Sequence, residues 1–165
     1  MDAPVVGAIN GMAAGAGFSL AAACDYAIAA KSARFALAYT AAGLSPDGSS
    51  TWFLPRLIGL RRARELMLTN RMLSADEALD MNIIDRVVSD EALEDEAMAL
   101  AKQFAEGPTR AYGATKRLLQ ETWTSGLEVQ MDRETRSISN LTRTADAHEG
   151  ISAFIEKRKP DFKGD

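Results

Sequence analysis

The chain has 165 residues, 47% of them hydrophobic and 25% charged, a composition that suits one globular domain with a sizeable core and a possible helical appendage. Its formal net charge of -4 argues against nucleic acid as the main partner, because phosphate binding needs a basic surface. The single cysteine, Cys24, excludes an internal disulfide, and the single histidine, His148, excludes a multi-histidine metal site; its place in a polar run near the C-terminus, where exposure is expected, argues against a His-dependent triad within these residues.

In chain order, Val5, Val6, Ala8 and Ile9 form a short apolar run that reads as a buried strand ended by Asn10-Gly11. Residues 10–17 read as a glycine loop in which Gly11, Gly15 and Gly17 give backbone freedom and allow close approach of a ligand. From Gly17 the run Phe18, Leu20, Ala21, Ala22, Ala23 and Cys24 predicts a tightly packed helix, its free N–H groups pointing out of the loop where an oxyanion can be held. Packing alone also explains such Ala/Gly-rich turns. Leu20 stands where the dinucleotide fingerprint needs a third glycine, so that reading is weak. Residues 3–24 carry no charge, but they are dominated by Ala and Gly and broken at Asn10-Gly11, which argues against a membrane span. No basic region precedes an apolar segment at the start, so a cytoplasmic or organelle-matrix location follows by default.

Asp25 to Leu37 reads as one or two short strands around Lys31-Ser32, with Cys24 as a small buried hydrophobe rather than a nucleophile. Ser45-Pro46-Asp47 predicts a helix start, Ser45 as N-cap and Pro46 at the first helical position, running to a stop at Gly59. An acid at Asp47 suits the first turn of a helix whether or not it does chemistry. Helices are then expected over Arg61 to Thr69, from the capping-box pattern Ser74 to Glu77, over residues 90–106, beyond Gly107-Pro108 with Tyr112, Leu118, Leu119 and Trp123, and from Leu127 to Arg143. Ile84 to Val88 reads as a strand, and His148 is expected to be exposed.

Asn10-Gly11-Met12-Ala13-Ala14-Gly15-Ala16-Gly17, then Cys24-Asp25-Tyr26-Ala27-Ile28-Ala29-Ala30 and Ala33-Arg34-Phe35, resemble the core of the crotonase superfamily, the enoyl-CoA hydratases and isomerases. The ending Glu149-Gly150-Ile151-Ser152-Ala153-Phe154-Ile155-Glu156-Lys157-Arg158-Lys159-Pro160-Asp161-Phe162 is similar to that family's C-terminal signature. The resemblance implies an α/β crotonase-like spiral of short strands and helices, with residues 1–105 a partial core and 106–165 a helical oligomerisation region. It also implies that the N-terminal part of the usual fold, with one of the two oxyanion-hole N–H groups and part of the CoA site, is missing from this chain.

For function, the resemblance implies that the two glutamates which activate water in hydratases are replaced by Ser19 and Tyr39. Residues 45–59 instead resemble the isomerase-type branch, the phenylacetate-pathway ring epoxide-CoA isomerases and next the Δ3,Δ2-enoyl-CoA isomerases, in which an acid at the Asp47 position is the base. The expected reaction is acyl-CoA isomerisation by proton transfer through Asp47, with the thioester enolate held at the Ala16 N–H and burial favouring the protonated carboxyl. Nucleophilic Asp47, hydratase-like activity, or a catalytically silent CoA-binding and oligomerisation module are the alternatives. Ala14, Gly15, Tyr39, Trp52, Phe154 and Lys157 are the expected substrate-binding residues, the last two from a neighbouring subunit. Lys157 fits a CoA phosphate and a solvated charge equally well. The partners implied are an acyl-CoA thioester and a homotrimer or hexamer, with no metal, no separate cofactor, no nucleic acid and no membrane.

Overall fold

The computed structural model describes all 165 residues, which divide into two compact units, Val5–Ala99 and Met1–Pro4 with Leu100–Asp165. In chain order the elements are β1 (Val6–Ile9), β2 (Met12–Ala14), α1 (Ala16–Ala23), β3 (Tyr26–Ala30), β4 (Arg34–Ala36), α2 (Ser50–Thr69), β5 (Leu73–Ser74), α3 (Ala75–Asp80), β6 (Arg86–Val88), α4 (Leu93–Ala105), α5 (Thr109–Glu121), α6 (Leu127–Leu141) and α7 (Ala145–Glu156). No helix is long and apolar enough to cross a membrane.

The first unit holds two three-stranded sheets, ordered β1-β3-β6 and β2-β4-β5. In the first sheet both pairings are parallel, with Val6 opposite Tyr26 and Ile28 opposite Arg86. Three of the five residues of the central strand β3 are alanine, and residues 27–30 are all buried, so small side chains allow close packing. In the second sheet β2 runs parallel to β4, and β4 is antiparallel to β5. Between the sheets' elements lies a core that includes Phe18, Phe35, Leu37, Leu54, Leu66 and Leu73, with the Phe18 and Phe35 rings edge to face at 5.5 Å.

Acidic side chains fasten the strand ends. Asp85 Oδ2 accepts from the Ala27 N–H at 2.7 Å while the Asp85 N–H donates back to the Ala27 carbonyl, and Asp90 Oδ1 accepts from Ser32 N–H at 3.0 Å. At α3 the expected capping box is present in full: Ser74 Oγ accepts from Glu77 N–H at 3.2 Å, and Glu77 Oε2 accepts from Ser74 N–H at 2.9 Å. The Ser74 backbone N–H, and after it the Arg71 guanidinium, hold the Glu77 carboxyl at about 2, below its ordinary 4.5. A depressed carboxyl stabilises the fold above its unfolded value and loses that contribution as pH falls through its folded value. The urea midpoint of Glu77→Gln is therefore expected to lie below the wild-type midpoint above pH 4.5, and the gap to close as pH falls to about 2; a gap independent of pH would contradict the capping charge.

Three local expectations are corrected. Residues 10–17 are not one loop: Met12–Ala14 form β2, recruited by parallel pairing with Arg34–Ala36. The helix expected to begin at Ser45-Pro46 begins at Ser50, because Asp47 to Ser49 are held in a turn whose Gly48 and Ser49 have φ of 60° and 74°. Trp123 falls beyond the end of α5 and is exposed, as is Leu119. Gly59 does interrupt the helical path as expected, with φ 80° and ψ 153° inside α2.

The second unit is helical. Phe104 and Tyr112 meet edge to face at 5.7 Å across Gly107, where any side chain would strike the Tyr112 ring. The C-terminal segment after α7 is fastened back to that helix: buried Asp146 accepts from the N–H groups of Lys163 and Gly164, and Glu149 from Arg158 and the Asp161 N–H.

Candidate active site

Two buried serine hydroxyls organise the site, because a buried hydroxyl needs an acceptor. Ser19, on α1, and Ser50, at the start of α2, both donate to the main-chain carbonyl of Asp47, at 3.0 and 3.2 Å. The turn at residues 47–49 is thus pulled onto the first turn of α1. Its close seating requires Gly48: a Cβ there would lie 2.9 Å from Ser19 Cβ and 3.9 Å from Ala16 Cα, and φ is 60° besides.

Gly15 makes the turn from β2 into α1, at φ 53° and ψ -119°, with its N–H on the Ala36 carbonyl at 2.9 Å and its carbonyl accepting Ser19 N–H. Helix geometry leaves the N–H groups of Ala16, Gly17 and Phe18 without an intrahelical acceptor, and Ala16 and Gly17 are exposed. An exposed, positive helix end with free donors therefore lies beside the Asp47 turn.

Tyr39 joins the two. Its hydroxyl donates to Asp47 Oδ1 at 2.6 Å and lies 3.3 Å from Ser19 Oγ. Burial, and then the hydrogen bond to the Asp47 carboxylate, push the Tyr39 phenol above its ordinary value. Ala38, just before it, has φ 57°, an uncommon conformation for a residue with a side chain. Gly15, Ala38, Gly48 and Ser49, all at positive φ, thus sit in the segments that carry the cluster.

The structure brings together Gly15, Ala16, Tyr39 and Asp47 of the residues expected from sequence. Ala14 is exposed at the end of β2. Asp47 is exposed as well, not buried as expected: it stands in a surface turn, its own carbonyl and carboxylate held by Ser19, Ser50 and Tyr39. Trp52 is 42% exposed, and its ring face is taken by the Arg56 guanidinium at 3.4 Å from the centroid. Phe154 and Lys157 belong to the helical unit, Phe154 85% exposed on α7 and Lys157 capping that helix at φ 56°. Cys24 is half-buried with its thiol raised by burial and then by Asp25, which suits an inert side chain.

Sequence reasoning missed Ser50 and Gly48, and read Ser19 only as the loss of an acid. The signal was the turn composition Asp47-Gly48-Ser49-Ser50, which favours left-handed backbone over a helix's first turn. The helical unit offers a cleft of about 340 Å³ lined by Ile138, Leu141, Ala147, Ile151 and Phe162, but its one buried acid, Asp146, is already saturated by backbone N–H groups. The Asp47 cluster is the better chemical site.

Comparison with known proteins places the chain among a family of enzymes. The family model described as enoyl-CoA hydratase/isomerase matches residues 1–165. The 1,2-epoxyphenylacetyl-CoA isomerase of Escherichia coli K12 is 45% identical over 162 residues, covering 98% of this chain and 62% of that protein. A protein of Rhodobacter capsulatus named as a probable enoyl-CoA hydratase is 42% identical over 161 residues, covering 98% of this chain and 63% of its own length. The crystal structure of an enoyl-CoA hydratase subunit I from Geobacillus kaustophilus HTA426 superposes with a TM-score of 0.92 at 39% identity, covering 98% of this chain and 63% of that one. The chain thus spans somewhat less than two thirds of the length of these relatives.

Proposed function

Because the chain belongs to the enoyl-CoA hydratase/isomerase family and has its crotonase-like α/β fold, we propose that it carries the proton-transfer machinery of an acyl-CoA isomerase. The observation that carries this reading is a single carboxylate, Asp47, held beside the free N–H groups of α1 with one oxygen on Tyr39 and the other unpartnered.

The thioester carbonyl of a 3-enoyl-CoA accepts from the Ala16 N–H, at the positive end of α1. Asp47 removes a proton from the carbon next to the carbonyl. The C–H electron pair then delocalises onto the carbonyl oxygen on one side and, in conjugation, across the neighbouring double bond on the other, giving a dienolate. Asp47 returns the proton at the far end of that conjugated system, the carbonyl reforms, and the double bond has moved into conjugation with it. Nothing is oxidised, and no cofactor is needed beyond the coenzyme A of the substrate itself. The 45% identity to an epoxyphenylacetyl-CoA isomerase supports an aromatic-derived acyl group as the finer assignment. Phe154 and Lys157 are suited to the CoA nucleotide in a homotrimeric assembly, Lys157 by charge.

Hydration is the second reading, favoured by the hydratase names among the relatives. Against it, Ser19 and Tyr39 stand where the resemblance places the two water-activating glutamates, and here they hydrogen-bond to Asp47 instead. Mass-resolved product analysis of 3-enoyl-CoA and 2-enoyl-CoA substrates separates the two. Conversion of the 3-enoyl to the 2-enoyl thioester without gain of mass is expected. Addition of water to the 2-enoyl substrate without any double-bond shift would replace this reading by hydration. Saturable acetyl-CoA binding by calorimetry with neither reaction would leave a silent CoA-binding module.

A further inference from the structure

The hydroxyl of Tyr39 can donate only one proton, and its geometry decides where that proton goes. Asp47 Oδ1 lies at 2.6 Å, whereas the Asp47 carbonyl lies at 3.4 Å and Ser19 Oγ at 3.3 Å. Ser19, with its own single proton, is nearest the Asp47 carbonyl at 3.0 Å. Ser19 therefore anchors the main chain of Asp47, and Tyr39 anchors its carboxylate. Asp47 Oδ2 has no hydrogen-bond partner.

Tyr39 is itself held on several sides. Its carbonyl accepts from the N–H groups of Ala42 and Leu44, both at 3.0 Å. The next residue, Thr40, donates through Oγ1 to the Met67 carbonyl at 2.8 Å and accepts from Asn70 Nδ2 at 2.7 Å, which ties it to the end of α2. The ring rests against the Gly15 turn, where a Cβ on Gly15 would be 3.7 Å from Tyr39 Cζ. Such support is what a donor needs if it is to fix another group rather than follow it.

From this we infer that Tyr39 is a positioning residue for the base: it occupies Asp47 Oδ1, stops the carboxylate from rotating, and leaves Oδ2 as the one oxygen that takes and returns the substrate proton. The inference rests on Asp47 being the base. It assigns Tyr39 a role distinct from a substrate contact, and the two roles have different kinetics. Loss of a positioning donor lowers kcat, whereas loss of a substrate contact made equally in ground and transition states raises KM.

Two measurements test it. Ultraviolet titration of the wild-type chain and of Asp47→Asn, with Tyr39→Phe identifying the signal, is expected to show the Tyr39 phenol ionising above its ordinary range and moving down when the carboxylate is removed. Steady-state kinetics of Tyr39→Phe, which keeps the ring, are expected to show kcat lowered roughly tenfold, as for a lost hydrogen bond to a charged group, with KM unchanged. An ordinary Tyr39 phenol, or a raised KM at unchanged kcat, would overturn the positioning role. Full turnover in Asp47→Asn would instead remove the base itself, while a raised wild-type phenol would still show the Tyr39–Asp47 contact.

Discussion

Asp47→Asn is expected to lower isomerase turnover about 10²- to 10⁴-fold, the range that a positioned general acid or base supplies. Asparagine keeps the shape of the side chain and an oxygen that can still accept from Tyr39. What it loses is the capacity to bind and release a proton. Because Asp47 is exposed and its turn is fastened through its main-chain carbonyl by Ser19 and Ser50, the fold should scarcely notice the change. The expected stability shift is within about 0.5 kcal/mol, as for an ordinary surface substitution. Turnover and a urea melt on the same preparation check both halves, and retained turnover in a folded variant would require another base.

Phe35→Ala has the largest expected effect on stability, about 3–5 kcal/mol. Phe35 is fully buried at the middle of β4, between β2 and β5, with its ring edge to face on Phe18. Against a total stability of roughly 5–15 kcal/mol, that loss brings the unit close to unfolding. The damage also has a direct route to the site. Phe18 immediately precedes Ser19 on α1, and β4 leads through Leu37 and Ala38 into Tyr39. A cavity at Phe35 therefore loosens both supports of Asp47 at once. Denaturant unfolding measures it; a shift below about 1 kcal/mol would mean that the core closes around the gap, which full burial among rigid strands argues against.

What could be read from the sequence follows how local each signal is. The Ser74 to Glu77 capping box is made of residues three apart and forms as expected. The break at Gly59 is likewise a one-residue matter. By contrast, β2 has only three residues and exists because Arg34–Ala36, some twenty residues on, pair with it. The same distance explains the failed helix start at Ser45-Pro46. Proline and serine signal a helix locally, but the Asp47 carbonyl is claimed by Ser19, 28 residues away, and that tertiary contact holds residues 47–49 in a turn. For the site, the glycine turn leading into a short helix was legible from the sequence. That Asp47 would meet it came only through the family resemblance, since the partner contacts are Ser19 and Tyr39, neither of which is distinctive by type. The expected burial of Asp47 failed for a related reason: apolar neighbours in sequence, Trp52 and Phe53, turn to Arg56 and to the core rather than over the carboxylate.

The fastening of the C-terminal segment bears on how the protein can be handled. Lys163 and Gly164 give their main-chain N–H groups to a buried aspartate, so the last residues are as much a part of the helical unit as α7 itself. A purification tag or fluorescent fusion joined directly at Asp165 would pull on the same hydrogen bonds that hold Asp146 satisfied, and trimming the chain at Phe162 would strand that carboxylate without donors. A flexible spacer after Asp165 avoids the first problem.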